Sequence, residues 1–427
     1  MLPATNQEAI VLAMKGSLAL GCKVNTFTKF DRKNYFYPDL PMGYQISQYD
    51  QPLAEHGMIE VERKDGTKKQ VSVTRLHMEN DAGKLTHTRG GSLVDFNRSG
   101  APLMEIVSGP DMYSMEEASL YTREIQNILR AVGASECDME KGMMRFDINI
   151  SLRPEGREEF GTKVEIKNVN SFKSLEKAII YEIERQTNML DAGETIKQET
   201  RGWDDEQFET VAQRSKEEAA DYRYFPEPDI PPLTFTEEYI ASIKASLPEL
   251  PGERRGRYFV LGLEKDTARI LADDHLLAAY FEKVAELVGD HKIVASWITS
   301  VLLGMMNGER MSVAELRFTP EQFASVITAV REDTISHLSG KEVLEEMFLT
   351  GKDADTIIDA KGLRQVSDTS ALESWIDEII IAFPAQTADY KSGKTALLGF
   401  FIGQVVKKSG GSANPKVVGK LVAEKLG

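Results

Sequence analysis

The chain predicts an α+β protein: a domain built on mixed or antiparallel sheet, followed by an all-α region. Three observations carry that expectation. Runs of alternating polar and apolar residues, the mark of half-buried strands, fall before residue 233. Helical periodicity takes over beyond it. Between the two, Pro226–Pro232 holds four prolines in seven residues, a stiff extended boundary. At 427 residues the chain is too long for one core. The expected divisions are a sheet domain over 1–233, a helical connector over 234–275 and a helical tail over 276–427.

Taken in order, Asn6 caps an amphipathic helix carrying Ile10, Leu12, Ala13 and Leu18, which Gly21 ends. Met58–Arg63 and Lys69–Leu76 flank Asp65-Gly66 and read as a hairpin. Helices are predicted over Ser114–Val132 and Ser171–Gln186, each opening on a capping hydroxyl. Two further strands follow from strict alternation. Met144, Phe146, Ile148, Ile150 and Leu152 share one face, with Arg145, Asp147, Asn149, Ser151 and Arg153 on the other. After a Pro-Glu-Gly turn, Lys163, Glu165 and Lys167 share a face of Thr162–Lys167. Side by side these strands make either a polar floor for a phosphate and metal site or simply a solvated sheet face. Past the prolines, Thr319-Pro320-Glu321 has the cap and first-turn proline of a helix start. No internal repeat is visible.

Composition narrows the function class. The 41% hydrophobic and 28% charged residues are those of a globular protein. Cys22 and Cys137 have no paired spacing for zinc or a disulfide framework, which makes a reducing cytoplasm the expectation. No apolar run reaches membrane-spanning length and no secretory pattern opens the chain, so neither insertion nor export is predicted. A net charge of −16 argues against bulk attraction to nucleic acid, DNA included. The segment from Lys391 to Gly427 reverses that sign, with seven lysines against the single acid Glu424, a net of +6. It reads as an RNA contact, as a surface for an acidic partner, or as a solvated helical face.

Candidate chemistry concentrates in three stretches. Leu76-His77-Met78-Glu79-Asn80-Asp81-Ala82-Gly83-Lys84 brings a histidine, two carboxylates, an amide and a lysine together, and His87, Arg89 and Gly90-Gly91 extend it. Hard cations take carboxylate and amide oxygens, and a nearby lysine suits phosphate. Asp31–Pro41, with Arg32, Lys33, Asn34 and Tyr35, interleaves basic and aromatic residues before Tyr44–Tyr49. That mixture can stack a base while gripping phosphate, or pack as a loop with snorkelling cations. Glu105 sits in the apolar run Pro102–Val107, where a buried acid needs a partner or a metal. Ala388–Thr395 mimics a phosphate loop but lies in the helical region without a βαβ unit, and reads as an interhelix turn. Neither a serine nucleophile elbow nor a Gly-rich amidase segment is present, so this chain is not expected to release ammonia itself.

Over nearly its whole length the sequence resembles the B subunits of the aspartyl/glutamyl-tRNA amidotransferase, the GatB family. The resemblance rests on Asp31–Pro41 with Tyr44–Pro52, Leu76–Lys84, Leu93–Arg98, Gly161–Phe172, Asp221–Pro228 and Leu398–Pro415. It implies a kinase-like cradle, a helical linker and a tail like a small stand-alone tRNA-associated protein. It further implies phosphorylation, by ATP and Mg2+, of the side-chain carboxylate of Glu-tRNA(Gln) or Asp-tRNA(Asn). Ammonia from an amidase subunit then displaces the phosphate, and a further small subunit makes up a heterotrimer. On that footing Glu79 and Glu105, supported by Asn80 and Asp81, are the expected metal ligands. Asn34, Tyr35, Asp147, Asn149 and Glu165 are expected around ATP. Arg32, Lys33, Lys84, Lys163 and Lys167 are expected on phosphate or acyl-phosphate oxygens. Lys407, Lys408, Lys416 and Lys420 are expected on tRNA, and zinc is not expected.

Two departures from the family pattern stand out. Family members begin with a further segment carrying a Gly-Leu-Glu-Val-His-like strand, whose acid and histidine belong to the metal site, and this sequence starts after it. Without that strand an open sheet edge is expected, and a noncatalytic tRNA-binding scaffold becomes the alternative function. Asn80 also stands where a second carboxylate is expected, which removes one charge from the cation site.

Overall fold

The computed structural model describes residues 3–88, 90–215, 221–365, 369–410 and 412–427; Arg89 and the side chain of His87 lie outside the described residues. The chain forms two compact units, Met1–Pro251 and Gly252–Gly427. The architecture is mixed α+β in the first and helical in the second. Among the described residues no helix is long and apolar enough to cross a membrane.

The first unit opens with helix α1 (Gln7–Ala19), capped by the Asn6 side chain, and Gly21 at φ 73 turns the chain out of it. Short strands follow: β1 (Lys23–Val24), β2 (Phe27–Thr28), β3 (Asp31–Asn34) and β4 (Tyr44–Ser47). The long hairpin β5 (Ala54–Glu62) and β6 (Lys68–Asn80) turns at Asp65-Gly66, and the small hairpin β7 (Lys84–Thr88) and β8 (Gly91–Asp95) precedes β9 (Pro102–Ser108). Helix α2 (Met115–Ala131), strands β10 (Phe146–Ile150) and β11 (Val164–Val169), helix α3 (Phe172–Asp191) and strands β12 (Glu199–Asp204) and β13 (Glu209–Ser215) come next. β14 (Phe225–Pro226), β15 (Leu233–Thr234) and α4 (Glu237–Ala245) end the unit.

The principal sheet has the order β1-β5-β6-β9, all antiparallel, with β9 at its edge. β10-β11-β12-β13 is mixed, because β11 and β12 run parallel. The third sheet is β14-β3-β4. The extended proline segment is thus partly a strand, since Phe225 and Pro226 pair with Arg32 and Asp31, and Leu233 and Thr234 pair with Thr28 and Phe27. Helix α4 contributes Ile240 and Ile243 to the first core.

A change of side-chain parity inside the long hairpin decides where the polar residues go. In β6, Val71 and Val73 are buried in the core before Thr74, and Leu76 and Met78 after it; in β5, Ile59 and Val61 give way to Ala54. His56, at φ 58, and a register shift between Val73 and Arg75 against β9 absorb the odd residue. Had the alternation continued, His77 and Glu79 would take the core positions of Leu76 and Met78. Instead they project from the opposite face, which β4 covers. The strand therefore runs four residues beyond the predicted Leu76, to Asn80.

The β10–β11 pair has the predicted faces. Ile166 and Val169 pack with Leu175, Ala178 and Ile179 of α3, and the polar face carries Asp147, Asn149, Glu165 and Lys167. In the second unit, Thr319 and Gln322 form a reciprocal cap with Pro320 in the first turn. The phosphate-loop mimic falls across a helix end (Pro384–Lys391) and a 3-10 turn (Thr395–Leu397), as a connection between helices.

Gly57 is where the hairpin touches the turn that follows α1. A Cβ there would lie 2.5 Å from Cys22 Sγ and 2.7 Å from the Leu20 carbonyl oxygen. Gly57→Ala is expected to destabilise the protein by about 1–3 kcal/mol through overpacking, read as a lower denaturant midpoint; an unchanged midpoint would show that the contact relaxes freely.

Candidate functional site

The parity change brings three donors together. His77 and Glu79 stand two apart on one face of β6, and Glu105 lies directly opposite His77 on β9. His77 Nε2 is 3.3 Å from Glu79 Oε1 and 3.7 Å from Glu105 Oε2. One ligand atom from each of these residues falls within 4.8 Å of the others. His77 and Glu79 are buried, whereas the Glu105 side chain is 48% exposed on the edge strand. Glu105 was expected buried in an apolar run; its edge position instead leaves it facing solvent.

Glu79 is only 8% exposed, so its charge must be compensated from within. Ser47 Oγ donates to Oε1 at 2.8 Å, Gln45 Nε2 donates to Oε2 at 2.9 Å, and the Lys33 ammonium lies 3.9 Å from Oε1. Burial, the largest influence, works to raise its pKa; the contacts with His77, Lys33 and Ser47 outweigh it and hold the carboxyl below its usual range. Gln45 is itself fixed, since its Nε2 also donates to the Asn80 carbonyl and its Oε1 accepts from Tyr35 at 3.2 Å. Burial, then Glu79, push the Tyr35 phenol up to about 12. The same face of β6 carries Arg75, whose buried Nε has no hydrogen-bond partner among the described residues, and the same holds for His77 Nδ1.

Over this floor runs the segment Asp221–Pro228. Asn34 fastens it at Tyr222 and Arg223, donating to both carbonyls. Tyr222 lies edge-on to Tyr35, with ring centroids 5.9 Å apart, and 5.1 Å from the Lys33 ammonium. Tyr224 stacks on Tyr49 at 4.3 Å. On the neighbouring sheet Lys167 bonds Asp147 at 3.0 Å and lies 3.7 Å from Glu165, whose Oε2 accepts from Thr200. Burial works to lower the Lys167 pKa, and Asp147 and Glu165 more than reverse it, so the ammonium stays charged.

The remaining expected site residues are placed as follows. Arg32 is committed to Glu227 through a two-pronged ion pair at 2.7 and 2.8 Å and stacks 4.2 Å from the Tyr44 ring, so its fork is filled. Asn80 Oδ1 accepts from the Ile46 amide at 2.6 Å, tying β6 to β4. Both Asp81 oxygens are taken by arginines, Arg98 at 2.7 Å and Arg145 at 2.9 Å. Lys84 is exposed on the separate β7–β8 hairpin. Asn149 and Lys163 are exposed, Asn149 opposite Glu165. In the second unit Lys408 pairs with Glu378, Lys416 with Asp333 at 2.9 Å and Lys420 with Glu424 at 3.9 Å, while Lys407 is exposed. Much of the tail's positive charge is thus shared with acids from other elements. His77 was not among the expected ligands, although its spacing of two from Glu79 was in the sequence. Arg145 was expected only as part of the polar strand face, and Arg98, Tyr222 and Tyr224 only as members of family-like stretches; none was assigned a site role, because only the fold brings them to the floor.

Fold and site together define a class: an α+β protein in which a histidine and two carboxylates converge beside ammonium and guanidinium groups, a set suited to a divalent cation and a phosphate. Comparison with known proteins gives the family. The family model described as the GatB/GatE catalytic domain matches residues 1–241, and the one described as the GatB domain matches residues 279–426. Among similar proteins are those named as the B subunit of the aspartyl/glutamyl-tRNA(Asn/Gln) amidotransferase in Persephonella marina, Carboxydothermus hydrogenoformans and Trichodesmium erythraeum. They are 49%, 47% and 46% identical, over all of this chain and 90%, 90% and 89% of their own lengths. The chain belongs to the GatB family.

The Arg32–Glu227 pair joins residues 195 apart and sits where the tyrosine segment meets β3. Removing one partner of a buried pair costs roughly 3–5 kcal/mol; Arg32→Leu is expected to lose about that much and to speed hydrogen exchange at Asn34 and Phe225. Burial works to raise the Glu227 pKa, but Arg32 and the Asp229 amide bring it below the ordinary value. The pair's stabilisation is therefore complete above the unfolded carboxylate pKa of about 4.3 and is lost as pH falls through the lower folded value. Glu227→Gln is expected to flatten that part of the acid-unfolding curve, and an unaltered curve would remove the pair as its cause.

Proposed function

We propose that this chain is the ATP-using subunit of a glutamine-dependent, carbon–nitrogen bond-forming tRNA ligase. In this reading the terminal phosphoryl group of ATP passes to a side-chain carboxylate oxygen of Glu-tRNA(Gln) or Asp-tRNA(Asn), releasing ADP. Ammonia supplied by a partner amidase then attacks the carbonyl carbon, the C–O bond to phosphate breaks, and Gln-tRNA(Gln) or Asn-tRNA(Asn) results. The assembly is completed by a small third subunit. The observation that carries the reading is the match, over all of this chain, to relatives named as the B subunit of that amidotransferase.

The site supports this chemistry. A carboxylate resists ammonia until one oxygen becomes a good leaving group, and phosphorylation supplies it. Phosphoryl transfer needs chiefly positioning and charge neutralisation. His77, Glu79 and Glu105 fit a divalent cation: two carboxylates suit Mg2+, and three protein donors leave room for phosphate oxygens. Such an ion, held by these three residues, would neutralise charge on the transferring group. Lys33, 5.1 Å from the Tyr222 ring, and Lys167, steadied by Asp147 and Glu165, add positive charge. Tyr35 and Tyr222 offer ring faces for stacking and, being un-ionised at neutral pH in the case of Tyr35, donate rather than repel. We assign the cradle role to 1–233, a connector to 234–275 and tRNA contact to 276–427, with Lys407 the least encumbered of the four tail lysines. The converging donor set counts against a purely scaffolding chain.

The test is formation of labelled phosphate adduct on Glu-tRNA(Gln) from γ-labelled ATP by the complex of this chain with its two partner subunits. Transfer is expected with Mg2+ and to fall roughly 10²-fold or more in Glu105→Gln. An assembled complex that binds both substrates and forms no adduct would contradict the reading.

A further inference from the structure

We infer that Arg98 and Arg145, held together by Asp81, form a seat for a phosphate oxyanion beside the His77–Glu79–Glu105 cluster. The inference rests on the phosphoryl-transfer reading above, and it gives Asp81 a role other than metal ligand.

Asp81 is 5% exposed and follows Glu79 by two residues, about 7 Å along an extended chain. Its carboxylate is divided between two guanidinium groups from different elements. Arg98 Nη2 donates to Oδ2 at 2.7 Å from the turn after β8, and Arg145 Nη2 donates to Oδ1 at 2.9 Å from just before β10. The Ala82 amide also donates to Oδ1, at 3.0 Å, and the backbone is pinned on both sides, Asp81 N–H to the Ala101 carbonyl and Gly100 N–H to the Asp81 carbonyl. With a guanidinium cation on each oxygen, Asp81 is an unfavourable ligand for a metal cation. Two cations on one anion leave a net +1, and both arginines are about half exposed, at 48% and 57% of the side chain.

Each guanidinium has five N–H donors in a rigid fork, and the one bond that each gives to Asp81 leaves the other edge available. Gly142, whose φ of 67 disfavours a side chain, leaves room for the Arg98 guanidinium itself, since a Cβ there would lie 2.8 Å from Nη1. Arg145 also reaches toward the site, since it opposes the rise in the Tyr35 pKa, and Tyr35 bonds the Gln45 that bonds Glu79. Two arginines oriented by a buried anion and half open to solvent make a pre-formed fork for a phosphate oxyanion. Phosphates of a nucleotide and phosphodiesters at the tRNA 3′ end share that chemistry.

The test uses the assembled complex and measures binding without turnover, with a non-hydrolysable ATP analogue in one arm and uncharged tRNA in the other. Arg98→Gln and Arg145→Gln are each expected to weaken one of these ligands by roughly ten-fold or more, the scale of a lost charge-assisted hydrogen bond. Loss confined to the analogue assigns the seat to the nucleotide, and loss confined to tRNA assigns it to the nucleic acid. Asp81→Asn is expected to weaken the same ligand while leaving the Mg2+ concentration dependence in place. Arg98→Lys and Arg145→Lys, which keep charge and fold but lose the fork, are expected to recover binding only in part. Wild-type affinity for both ligands in the folded arginine variants would overturn the seat, as would an Asp81→Asn defect that excess Mg2+ cures. Phosphate transfer by the wild type with arginine variants that bind normally would sink the seat alone. Binding losses in a complex that never transfers phosphate would sink the transfer reading alone.

Discussion

Glu79 carries a charge where the surroundings are almost dry, and a carboxylate in that position is several kcal/mol unfavourable unless partners meet it. Its compensation comes from four residues on three strands: Ser47 and Gln45 from β4, Lys33 from β3, and His77 from its own strand. Two of those partners are held by something further. Gln45 is fixed by Tyr35 and the Asn80 carbonyl, and Lys33 lies against Tyr222. Satisfying one buried charge thus draws the β14-β3-β4 sheet down onto β6 and leaves a row of donors on a common face.

The arrangement depends on the parity change at His56 and Thr74. Without it, hydrophobic residues at 71, 73, 76 and 78 could not all reach one core, and His77 and Glu79 could not both leave it. The same device sets the chemistry of the neighbours. Because β6 continues straight past Glu79, Asn80 ties β4 through its amide oxygen and Asp81 gathers two arginines. Acid and amide residues that resemble one ligand set in sequence are divided by the fold into a cation site, a strand tie and a guanidinium clamp.

Much of this was legible in the sequence, and what was not has a physical reason. The α+β class followed from alternation before the prolines and helical periodicity after them, and the β10–β11 faces followed from strict period two. Ser114, Ser171 and Thr319 marked helix starts through their capping hydroxyls. The role of Arg32 was not legible, because its partner Glu227 lies 195 residues away and only the closing strand brings it near. The tail lysines looked free because the acids that meet Lys408 and Lys416 come from Glu378 and Asp333, outside the basic segment. The exposure of Glu105 was hidden because an apolar run on an edge strand reads like one in the middle of a sheet.

The most direct measurement titrates Mn2+, as a spectroscopic probe of the cation site, into the full chain and into Glu79→Gln and His77→Ala. One bound ion in the wild type, weakened at least ten-fold in both variants while the fold is retained, is the result expected if β6 and β9 assemble a cation site through the parity change. An ion bound equally well by both variants, or none bound by the wild type, would contradict it.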